Sequence, residues 1–407
     1  MSFQKHSRKI LILGADGYLG HALNVHLRAT GWQVIESGLA DSKRDDYLHI
    51  DIRDKQHVTE GVIECEPDVV IHAAGVSSLL ACEKDPSMAH HVNVVGTENI
   101  VAAIKDSGRN SKLVFISSDY VFDGKCGNYL EDSPKNPGTC YGLTKARSED
   151  EIIGKLDDHI IIRTSNVYGQ GGNFYNFIKN SLKGRKPVEL YDDTFYTPTF
   201  LSYFSSAVSV LLLKEFVGII HVAGKQRVSR YEFGSIACAT LGANPSLVVA
   251  AHQEVGGLLA NDSSLNIDLA SKIIPLYNPN IQNSFEFLQG LKTYPYFLYS
   301  DHRGTIQGLN RRGIWREVNY ATTVAGTIRG NHYHRDTTEA FFIVCGLIQV
   351  KIKSLVTGIE TQFIAKKGDF FEITPMHVHT FEVRESAEWI NFLSSSMDDH
   401  APDIITV

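Results

Sequence analysis

The stretch Lys9–Gly20, which reads K-I-L-I-L-G-A-D-G-Y-L-G, decides the fold that we expect for the first part of this chain. Its opening apolar run is typical of a buried parallel strand. Gly14, Gly17 and Gly20 follow at once, and a helical pattern then runs to about Gly31. Strand, glycine turn and helix in this order predict a dinucleotide site. Glycine lets the backbone approach a pyrophosphate, and the helix N-terminus supplies free N–H groups.

The second predicted strand, Trp32–Ile35, bears on the choice of coenzyme. It ends at Glu36, where a carboxylate is placed to bond the ribose 2′-hydroxyl of NAD. Ser37, Lys43 and Arg44 follow closely and could instead serve the phosphate of NADP. The sequence therefore leaves the choice between the two coenzymes open.

Two more predicted strands extend the sheet. His49–Ile52 places Asp51 near an adenine, and Pro67–Gly75 ends in small residues that let the backbone pass close to a cofactor. Because these strands also fit a dinucleotide-binding sheet, we favour a cofactor site over a glycine turn that binds no ligand. On the helix that follows, Asn93 either has a role in an active site or bonds only to its own scaffold.

The stretch Ile116–Lys145 carries the residues that suggest chemistry. Ser118 lies at the C-terminal end of a predicted strand, the edge of an open α/β sheet where ligands bind. Tyr141 and Lys145 are spaced i, i+4, so on a helix they share one face. An ammonium beside a phenol lowers the phenol pKa and favours proton donation to a carbonyl that is being reduced. Without a dinucleotide site earlier in the chain, Tyr141 and Lys145 could also be two residues on a solvated helix face with no catalytic role.

Composition limits the partners and the compartment. The chain has 407 residues, 43% hydrophobic and 21% charged, with a net charge of -7. These values suit two or three globular domains, and no basic stripe predicts a nucleic-acid partner. The most apolar stretch, Ala207–Ala223, contains Lys214 and Glu215, so we expect no membrane span. Six cysteines without a C-x-x-C pair suit a reduced, cytoplasmic protein.

Together these motifs resemble a known family. G-x-x-G-x-x-G, H-A-A-G, S-S-D-Y-V-F-D-G and Y-G-x-T-K are similar to the extended short-chain dehydrogenases that act on nucleotide sugars. Within that group the chain most resembles the dTDP-4-dehydrorhamnose reductases. R-T-S-N-V-Y-G (Arg163–Gly169) and D-D-T-F-Y-T-P-T (Asp192–Thr199) extend the likeness, which runs from about residue 8 to residue 292.

The resemblance implies a role for each matching residue. Tyr141 matches the proton donor, Lys145 its partner, and Ser118 the residue that polarises the substrate carbonyl. The positions that match contacts to NADPH or NADH are Gly17, Tyr18, Leu19, Asp51, Ile52, Ala73, Ala74 and Gly75. Asn166 stands where the family has Trp, and Thr197 replaces a small residue, which leaves the exact substrate open.

From about residue 293 the pattern changes to short alternating runs with turn signals, which predict an all-β sandwich or barrel. The predicted strands are Thr322–Ile328, Ala340–Val344, Leu347–Ser354, Glu360–Ala365, Asp369–Ile373, His379–Val383 and Glu388–Phe392. We therefore expect two domains. Residues 1–292 form a Rossmann-type, doubly wound parallel sheet with a small substrate subdomain, and residues 293–407 form an all-β domain.

Histidines in the second domain predict a metal site. His332 and His334 are spaced i, i+2, so on a strand both point to one face. Glu339 follows, and a second block offers His379 and also His377. Three imidazoles and a carboxylate are ligands for a divalent metal, either zinc or a transition metal. In the alternative interpretation, some of these histidines only form hydrogen bonds inside a barrel.

The spacing of these residues resembles both cupin motifs, which implies a jelly roll. D-H-R-G (Asp301–Gly304) and G-N-H-Y-H, following a dehydrogenase domain, resemble capsular-polysaccharide enzymes in which a zinc-binding cupin follows such a domain. That resemblance implies that the cupin epimerises the carbon next to a keto group of a nucleotide sugar. The dehydrogenase domain then reduces the ketone.

We therefore expect a homodimeric enzyme of deoxysugar synthesis that uses NADPH or NADH on a nucleotide-sugar substrate. Two alternatives remain. The chain could be a reductase only, with a structural or sugar-binding cupin. It could also be a non-catalytic regulatory protein, since a regulatory subunit of a methionine adenosyltransferase shares the family's fold. The presence of Ser118, Tyr141 and Lys145 favours an active reductase.

Overall fold

A computed structural model describes residues 8–40, 42, 44, 46–254, 257–289, 292, 297–301, 304–308, 315–395 and 403–406. The chain divides into two compact units, Met1–Ser284 and Phe285–Val407. The boundary expected after residue 292 falls within the second unit and stays a prediction. No helix in the described ranges combines the length and hydrophobicity that a membrane span needs.

The first unit alternates strands and helices. Its strands are β1 (Lys9–Leu13), β2 (Gln33–Gly38), β3 (Tyr47–His49), β4 (Val69–His72), β5 (Lys112–Ser118), β6 (His159–Thr164), β7 (Val167–Tyr168), β8 (Val188–Tyr191), β9 (Phe195–Tyr196), β10 (Thr199–Phe200), β11 (Gly218–His221), β12 (Val228–Ser229) and β13 (Val248–Ala251). Its helices are α1 (Tyr18–Ala29), α2 (Lys55–Cys65), α3 (Leu79–Lys84), α4 (Pro86–His90), α5 (Gly96–Asp106), α6 (Cys140–Lys155), α7 (Asn173–Lys183), α8 (Leu201–Leu213), α9 (Arg230–Thr240) and α10 (Asp268–Ile273), with α11 (Ile281–Leu288) after them.

Seven parallel strands form the main sheet, in the order β11-β6-β5-β4-β1-β2-β3. Helix α1 packs on α8, while α5 packs on both α2 and α6. The strand order reverses between β1 and β4, and ligands bind in open α/β sheets at such a point, beyond the carboxyl ends of the strands. The predicted Rossmann-type parallel α/β domain is confirmed.

The third strand differs from its prediction. β3 covers Tyr47–His49 and pairs with β2 only at residues 36–38. Ile50 and Ile52, which we assigned to a strand, instead pack in a hydrophobic cluster with Val58 and Val62 of α2. Their alternating apolar pattern reflects burial of a loop against a helix, not pairing within the sheet.

A smaller group of elements lies within the first unit. β8 pairs with β13 in parallel, and β9 pairs with β12 in the antiparallel sense. Helices α7 and α9 contact each other, and α9 also contacts β8, β12 and β13. These elements contribute residues to the same cavity as the glycine turn, among them Phe174, Tyr196 and Arg230.

From Phe297 onward, the described residues of the second unit form antiparallel β-strands and their connections, as predicted. Its strands are β14 (Phe297–Asp301), β15 (Gly304–Gly308), β16 (Glu317–Thr323), β17 (Ile328–Tyr333), β18 (Glu339–Ser354), β19 (Glu360–Lys366), β20 (Phe370–Ile373), β21 (His377–Leu393) and β22 (Ile405–Thr406). Strands β14 and β15 form a hairpin, and the other seven form one sheet. His302 and Arg303 of the D-H-R-G motif lie outside the described residues, as does Lys43.

Five of the predicted strands in this unit have wrong bounds. The segment Thr322–Ile328 contains the turn between β16 and β17. The two predicted strands at 340–354 are one strand, β18, and the two at 379–392 are one strand, β21. Gly346, with φ +90°, lies where the register between β18 and β21 shifts. The strands bend at such a bulge while their pairing continues beyond it.

Candidate active site

The glycine turn between β1 and α1 borders a cavity of about 510 Å³. Gly14 has φ +86°, and a Cβ at this position would lie 2.6 Å from Cα of Ala74. Gly17 precedes α1 without a side-chain cap, and the first turn of α1 has no acidic residue. The N–H groups of that turn are therefore free to bind an anion, and the turn fits the pyrophosphate of a dinucleotide.

Most of the predicted cofactor residues line this cavity: Gly17, Tyr18, Leu19, Ala73, Ala74, Gly75, Tyr141 and Lys145. The hydroxyl of Tyr18 is buried without a hydrogen-bond partner among the described residues. Asp51 and Ile52 do not line the cavity. Asp51 forms an ion pair with Arg53 at 2.5 Å, which holds the pKa of Asp51 below its usual value.

Glu36 is not directed into the cavity. Its side chain is buried, and Arg44 donates two hydrogen bonds to it, at 2.9 and 3.0 Å. Arg28 donates a third at 3.5 Å. At the end of β2 the carboxylate of Asp16 instead accepts hydrogen bonds from the backbone of Leu39 and Ala40. A hydrogen bond from a ribose hydroxyl to Glu36 would have to compete with the hydrogen bonds that Arg28 and Arg44 already donate to this carboxylate.

The three predicted proton-transfer residues are brought together. Ser118 ends β5, and Tyr141 and Lys145 lie in the first turns of α6, whose N-terminus is capped by Thr139. Ser118 and Tyr141 line the same cavity, and the Ser118 hydroxyl acts to lower the pKa of Tyr141. The ammonium of Lys145 donates to the carbonyl oxygen of Ile116 at 2.9 Å and lies 6.0 Å from the ring centroid of Tyr141.

The electrostatics of this trio differ from the prediction. Burial raises the pKa of Tyr141, and the hydroxyl of Ser118 only partly opposes that rise. The net lowering of the Tyr141 pKa that we expected is wrong for this structure, because the effect of burial dominates. Burial also lowers the pKa of Lys145, to about 8, against the opposing effect of Glu149.

Asp119 is a buried carboxyl that sequence reasoning missed. It accepts hydrogen bonds from the hydroxyls of Ser118 at 2.9 Å, Ser165 at 2.7 Å and Ser263 at 2.7 Å. Burial raises the pKa of Asp119, and the three hydroxyls oppose that rise. The S-S-D-Y motif contains the residue, but no local pattern links it to serines so distant in the chain.

Glu149 and its partners are a second group near the site that sequence reasoning missed. Glu149 is fully buried and accepts two hydrogen bonds from Arg163, at 3.0 and 2.8 Å. Ser117 donates to the same carboxylate at 2.6 Å. This network joins α6 to β5 and β6, and thereby fixes the helix that carries Tyr141.

The hydrogen bonds of Asn93 join parts of the protein scaffold, as in the second of the two alternatives given for this residue. It lies on a π-helical turn, His91–Val95, between α4 and α5. Its amide accepts a hydrogen bond from the backbone N–H of Val76 at 2.8 Å and donates to the hydroxyl of Thr144 at 3.0 Å. Asn93 therefore ties the loop after β4, which lines the cavity, to helix α6.

The cavity is also lined by Phe174, Thr194, Tyr196 and Arg230. Of the two departures from the family pattern, Asn166 lines the cavity. Thr197 does not line it. Its hydroxyl instead accepts a hydrogen bond from the backbone N–H of Leu265 at 3.1 Å.

The second unit gathers the predicted metal ligands. Ligand atoms of His332, Glu339 and His379 all lie within 4.8 Å of one another. The Nε2 atom of His334 is 3.2 Å from Oε2 of Glu339, and its Nδ1 bonds to the carbonyl oxygen of Asp403. That second bond orients the ring, as is common for imidazoles that bind metals. His377 is outside the cluster and bonds to backbone carbonyls nearby.

The chemistry of this cluster fits a divalent ion. Burial would raise the pKa of Glu339, but the surrounding imidazoles lower it overall. Burial lowers the pKa of His379 to about 4, so its ring is neutral near pH 7. The Nε2 atom of His334 and Oε2 of Glu339 are buried without a well-aligned hydrogen bond. Burial would lower the pKa of the His334 imidazole, but the carboxylate of Glu339 raises it. A neutral imidazole at His379 and an ionised carboxylate at Glu339 are suitable zinc ligands.

Comparisons with known proteins match both parts of the chain. The family model described as the RmlD substrate binding domain matches residues 8–263, and the polysaccharide biosynthesis C-terminal domain matches residues 299–404. The spore coat polysaccharide biosynthesis protein SpsK of Bacillus subtilis is 32% identical over 252 residues, which cover 61% of this chain and 84% of that protein.

Two reductases are also similar. The dTDP-4-dehydrorhamnose reductase of Aggregatibacter actinomycetemcomitans is 33% identical over 236 residues, which cover 55% of this chain and 76% of that protein. The crystal structure of the dTDP-4-dehydrorhamnose reductase of Bacillus anthracis, in complex with NADP, has a TM-score of 0.62 and 25% identity. That likeness covers 69% of this chain and 98% of the other.

Proposed function

The chain belongs to the RmlD substrate binding domain family, and from that membership we propose that its first unit is a nucleotide-sugar 4-ketoreductase. Its substrate is a nucleotide-linked 4-keto-6-deoxy sugar, and its coenzyme is NADPH or NADH. The observation that carries this proposal is that Ser118, Tyr141 and Lys145 line one cavity, which is bordered by the glycine turn.

Each residue of this trio has a separate task. A bound nicotinamide supplies the hydride. The hydroxyl of Ser118 holds the ketone oxygen, and Tyr141 donates the proton that converts the resulting alkoxide to a hydroxyl. The charge of Lys145 favours release of that proton, because a nearby cation stabilises the phenolate. The glycine turn and the small residues at 73–75 would hold the coenzyme.

We propose in addition that the second unit is a cupin that binds a divalent metal, zinc by ligand type, and epimerises the carbon next to the ketone. His332, His334, Glu339 and His379 would hold the ion. A bound divalent cation supplies stabilisation of enolate charge next to a carbonyl. The clustering of these four side chains around Glu339 supports the metal, and the order of the two domains supports the pairing of the activities.

The first experiment is a turnover assay with a panel of nucleotide-linked 4-keto-6-deoxy sugars. The oxidation of NADPH or NADH measures the rate, and the reduced sugar is then identified. Tyr141→Phe should lower the rate about 10²- to 10⁴-fold while coenzyme binding is retained. The matched control is Tyr320→Phe, because Tyr320 is exposed in the second unit. Reduction at the wild-type rate by the Tyr141 variant would refute the assignment of the proton donor.

The epimerase activity is tested by exchange. In deuterated water without coenzyme, the keto-sugar should take up solvent deuterium next to the ketone, and His332→Ala with His334→Ala should abolish this uptake. Ketone reduction without any exchange would favour the reductase-only alternative. Coenzyme binding without turnover on any keto-sugar would favour the regulatory alternative. We also propose a homodimer, a common state for soluble enzymes, which light scattering tests directly.

A further inference from the structure

Asp16 belongs to the glycine turn between β1 and α1, and its side chain reaches the end of β2. Its Oδ2 atom accepts hydrogen bonds from the backbone N–H groups of Leu39 at 3.0 Å and Ala40 at 3.2 Å. The hydroxyl of Tyr47 donates a third at 2.8 Å. A Cβ atom on Gly38, the last residue of β2, would lie 2.0 Å from the same oxygen. The carboxylate of Asp16 therefore lies at the carboxyl end of β2.

The carboxyl end of β2 is the place where the two nicotinamide coenzymes can be told apart. In a Rossmann-type sheet the adenosine ribose lies beyond this end, where an acidic residue bonds the 2′-hydroxyl of NAD or an arginine accommodates the 2′-phosphate of NADP. A phosphate monoester carries a charge of about -1.5 to -2 at neutral pH. The side-chain charges at this end of the strand therefore decide which coenzyme is preferred.

Two of the three residues that could serve the 2′-phosphate are engaged elsewhere. Ser37 is fully buried, and its hydroxyl donates to a backbone carbonyl oxygen of β1 at 3.1 Å. Arg44 donates two hydrogen bonds to the buried carboxylate of Glu36. Moving Arg44 to a phosphate would leave Glu36 to the more distant Arg28, at 3.5 Å, and a buried charge that loses its main partner is destabilising. Lys43, the third, is outside the described residues.

Backbone donors at this end of the strand are occupied as well. Successive loop N–H groups can bind a phosphate, but those of Leu39 and Ala40 already donate to Asp16. A 2′-phosphate would have to displace the carboxylate or lie beside it, and like charges at such short distance repel. The 2′-hydroxyl of NADH meets no such repulsion. Because the three hydrogen bonds described above all go to Oδ2, the Oδ1 atom of Asp16 can accept one from that hydroxyl.

We propose that Asp16 gives the first unit a preference for NADH over NADPH. Its carboxylate accepts a hydrogen bond from the ribose 2′-hydroxyl of NADH and repels the 2′-phosphate of NADPH. The acidic residue that selects the coenzyme is then part of the glycine turn itself, and not Glu36 at the end of β2. This inference rests on the proposed function, because it takes the cavity at the glycine turn to hold a nicotinamide coenzyme.

Binding titrations of the full-length protein, without any sugar, test the preference. NADH and NADPH are titrated separately, their fluorescence reports binding, and the ratio of the two Kd values is the readout. Wild type should bind NADH about 10- to 100-fold more tightly than NADPH, the range for one pair of like charges at close distance. Asp16→Asn removes the charge at nearly constant volume. It should tighten NADPH binding about tenfold or more and change NADH binding less than about fivefold.

Asp46→Asn is the matched control. It removes the same charge from the loop before β3, where Asp46 pairs with Arg28 at 2.6 Å, and should change the ratio less than about threefold. Lys43→Gln should also leave the ratio within about threefold, whereas a lysine that binds the 2′-phosphate would cost NADPH about tenfold in affinity. If Asp16→Asn binds neither coenzyme, Asp16→Ser decides, because it also removes the charge and frees the two N–H groups.

Four results would overturn the inference: wild type that binds NADPH at least as tightly as NADH, an Asp16 variant that keeps both NADH binding and the wild-type ratio, an equal shift in Asp46→Asn, or a tenfold loss of NADPH affinity in Lys43→Gln. None of these measurements requires turnover. If the protein binds NADH with this preference but reduces no keto-sugar, the proposed reductase function fails and the preference stands. If it reduces a keto-sugar with equal kcat/KM for either coenzyme, the preference fails and the reductase function stands.

Discussion

Lys145 donates a hydrogen bond to the carbonyl oxygen of Ile116 at 2.9 Å, so the lysine of the Y-x-x-x-K pair is anchored to strand β5 and not to its tyrosine. Its ammonium lies 6.0 Å from the ring centroid of Tyr141. The anchored ammonium is also deeply buried, which lowers the pKa of Lys145 to about 8. The charge that supports proton release is therefore lost at a lower pH than for a free lysine.

This pKa predicts the pH dependence of the reductase. A lysine with a lowered pKa is protonated below about pH 8 and neutral above it, whereas a free lysine stays charged to about pH 10. We expect kcat/KM for ketone reduction to fall as pH rises through about 8, approaching tenfold for each further unit. Lys145→Arg, which stays charged, should be slower at pH 7 but lack this fall. A flat wild-type profile up to about pH 10 would contradict the prediction.

Asp119 should position the proton donor through Ser118. In the wild type, the Asp119 carboxylate accepts hydrogen bonds from the serine hydroxyls. An Asn at this position presents an amide N–H group, which donates and does not accept, so the Ser118 hydroxyl is reoriented relative to Tyr141. We expect Asp119→Asn to lower kcat about tenfold or more, with little change in NADPH affinity. The comparison is Ser165→Ala, which removes one hydrogen bond to Asp119 but leaves its bond with Ser118. Equal kcat values for the two variants would argue against this role.

The ion pair between Arg163 and Glu149 should be a major contributor to the stability of the first unit. Both side chains are almost fully buried, at 2% and 0% exposure. Arg163→Met leaves a buried carboxylate without its main partner and should lower the free energy of unfolding by about 3–5 kcal/mol. Lys155→Met, which breaks the more exposed pair with Glu151, should cost less than about 1 kcal/mol.

Urea denaturation of the full chain measures both values, and a double variant separates the causes. Replacing Glu149 by Leu together with Arg163→Met removes the uncompensated charge and should recover part of the loss. If the double variant is no more stable than the single one, the uncompensated charge of Glu149 is not the cause of the loss.

The histidine cluster of the second unit predicts a bound metal. Protein purified from zinc-supplemented medium should contain about one divalent ion per chain, measured by mass spectrometry of the metals. His332→Ala, Glu339→Gln and His379→Ala should each reduce that content about tenfold or more. His377→Ala should not, since that ring lies outside the cluster. Wild-type protein without metal, or an equal loss in the His377 variant, would refute the prediction.

The cluster also shows what a local pattern can predict. Two histidines at i, i+2 share a strand face whatever the rest of the chain does, so the sequence supplied both as candidates. Their meeting with His379 depends on the pairing of β17 with β21, in which His332 lies opposite His379. The same limit explains the strand errors, because the bulge that keeps β18 continuous past Gly346 is fixed by its partner strand.

By itself, the sequence determined the features that depend on neighbours in the chain: the glycine turn after an apolar strand, and the helical spacing of Tyr141 and Lys145. Only the tertiary structure decided which distant groups those residues meet. Ser263 reaches Asp119 from 144 positions away, two arginines pair with Glu36, and Arg230 of α9 lines the same cavity as the glycine turn. Backbone geometry sets local periodicity, whereas burial, charge pairing and the resulting pKa values depend on contacts that exist only once the chain has folded.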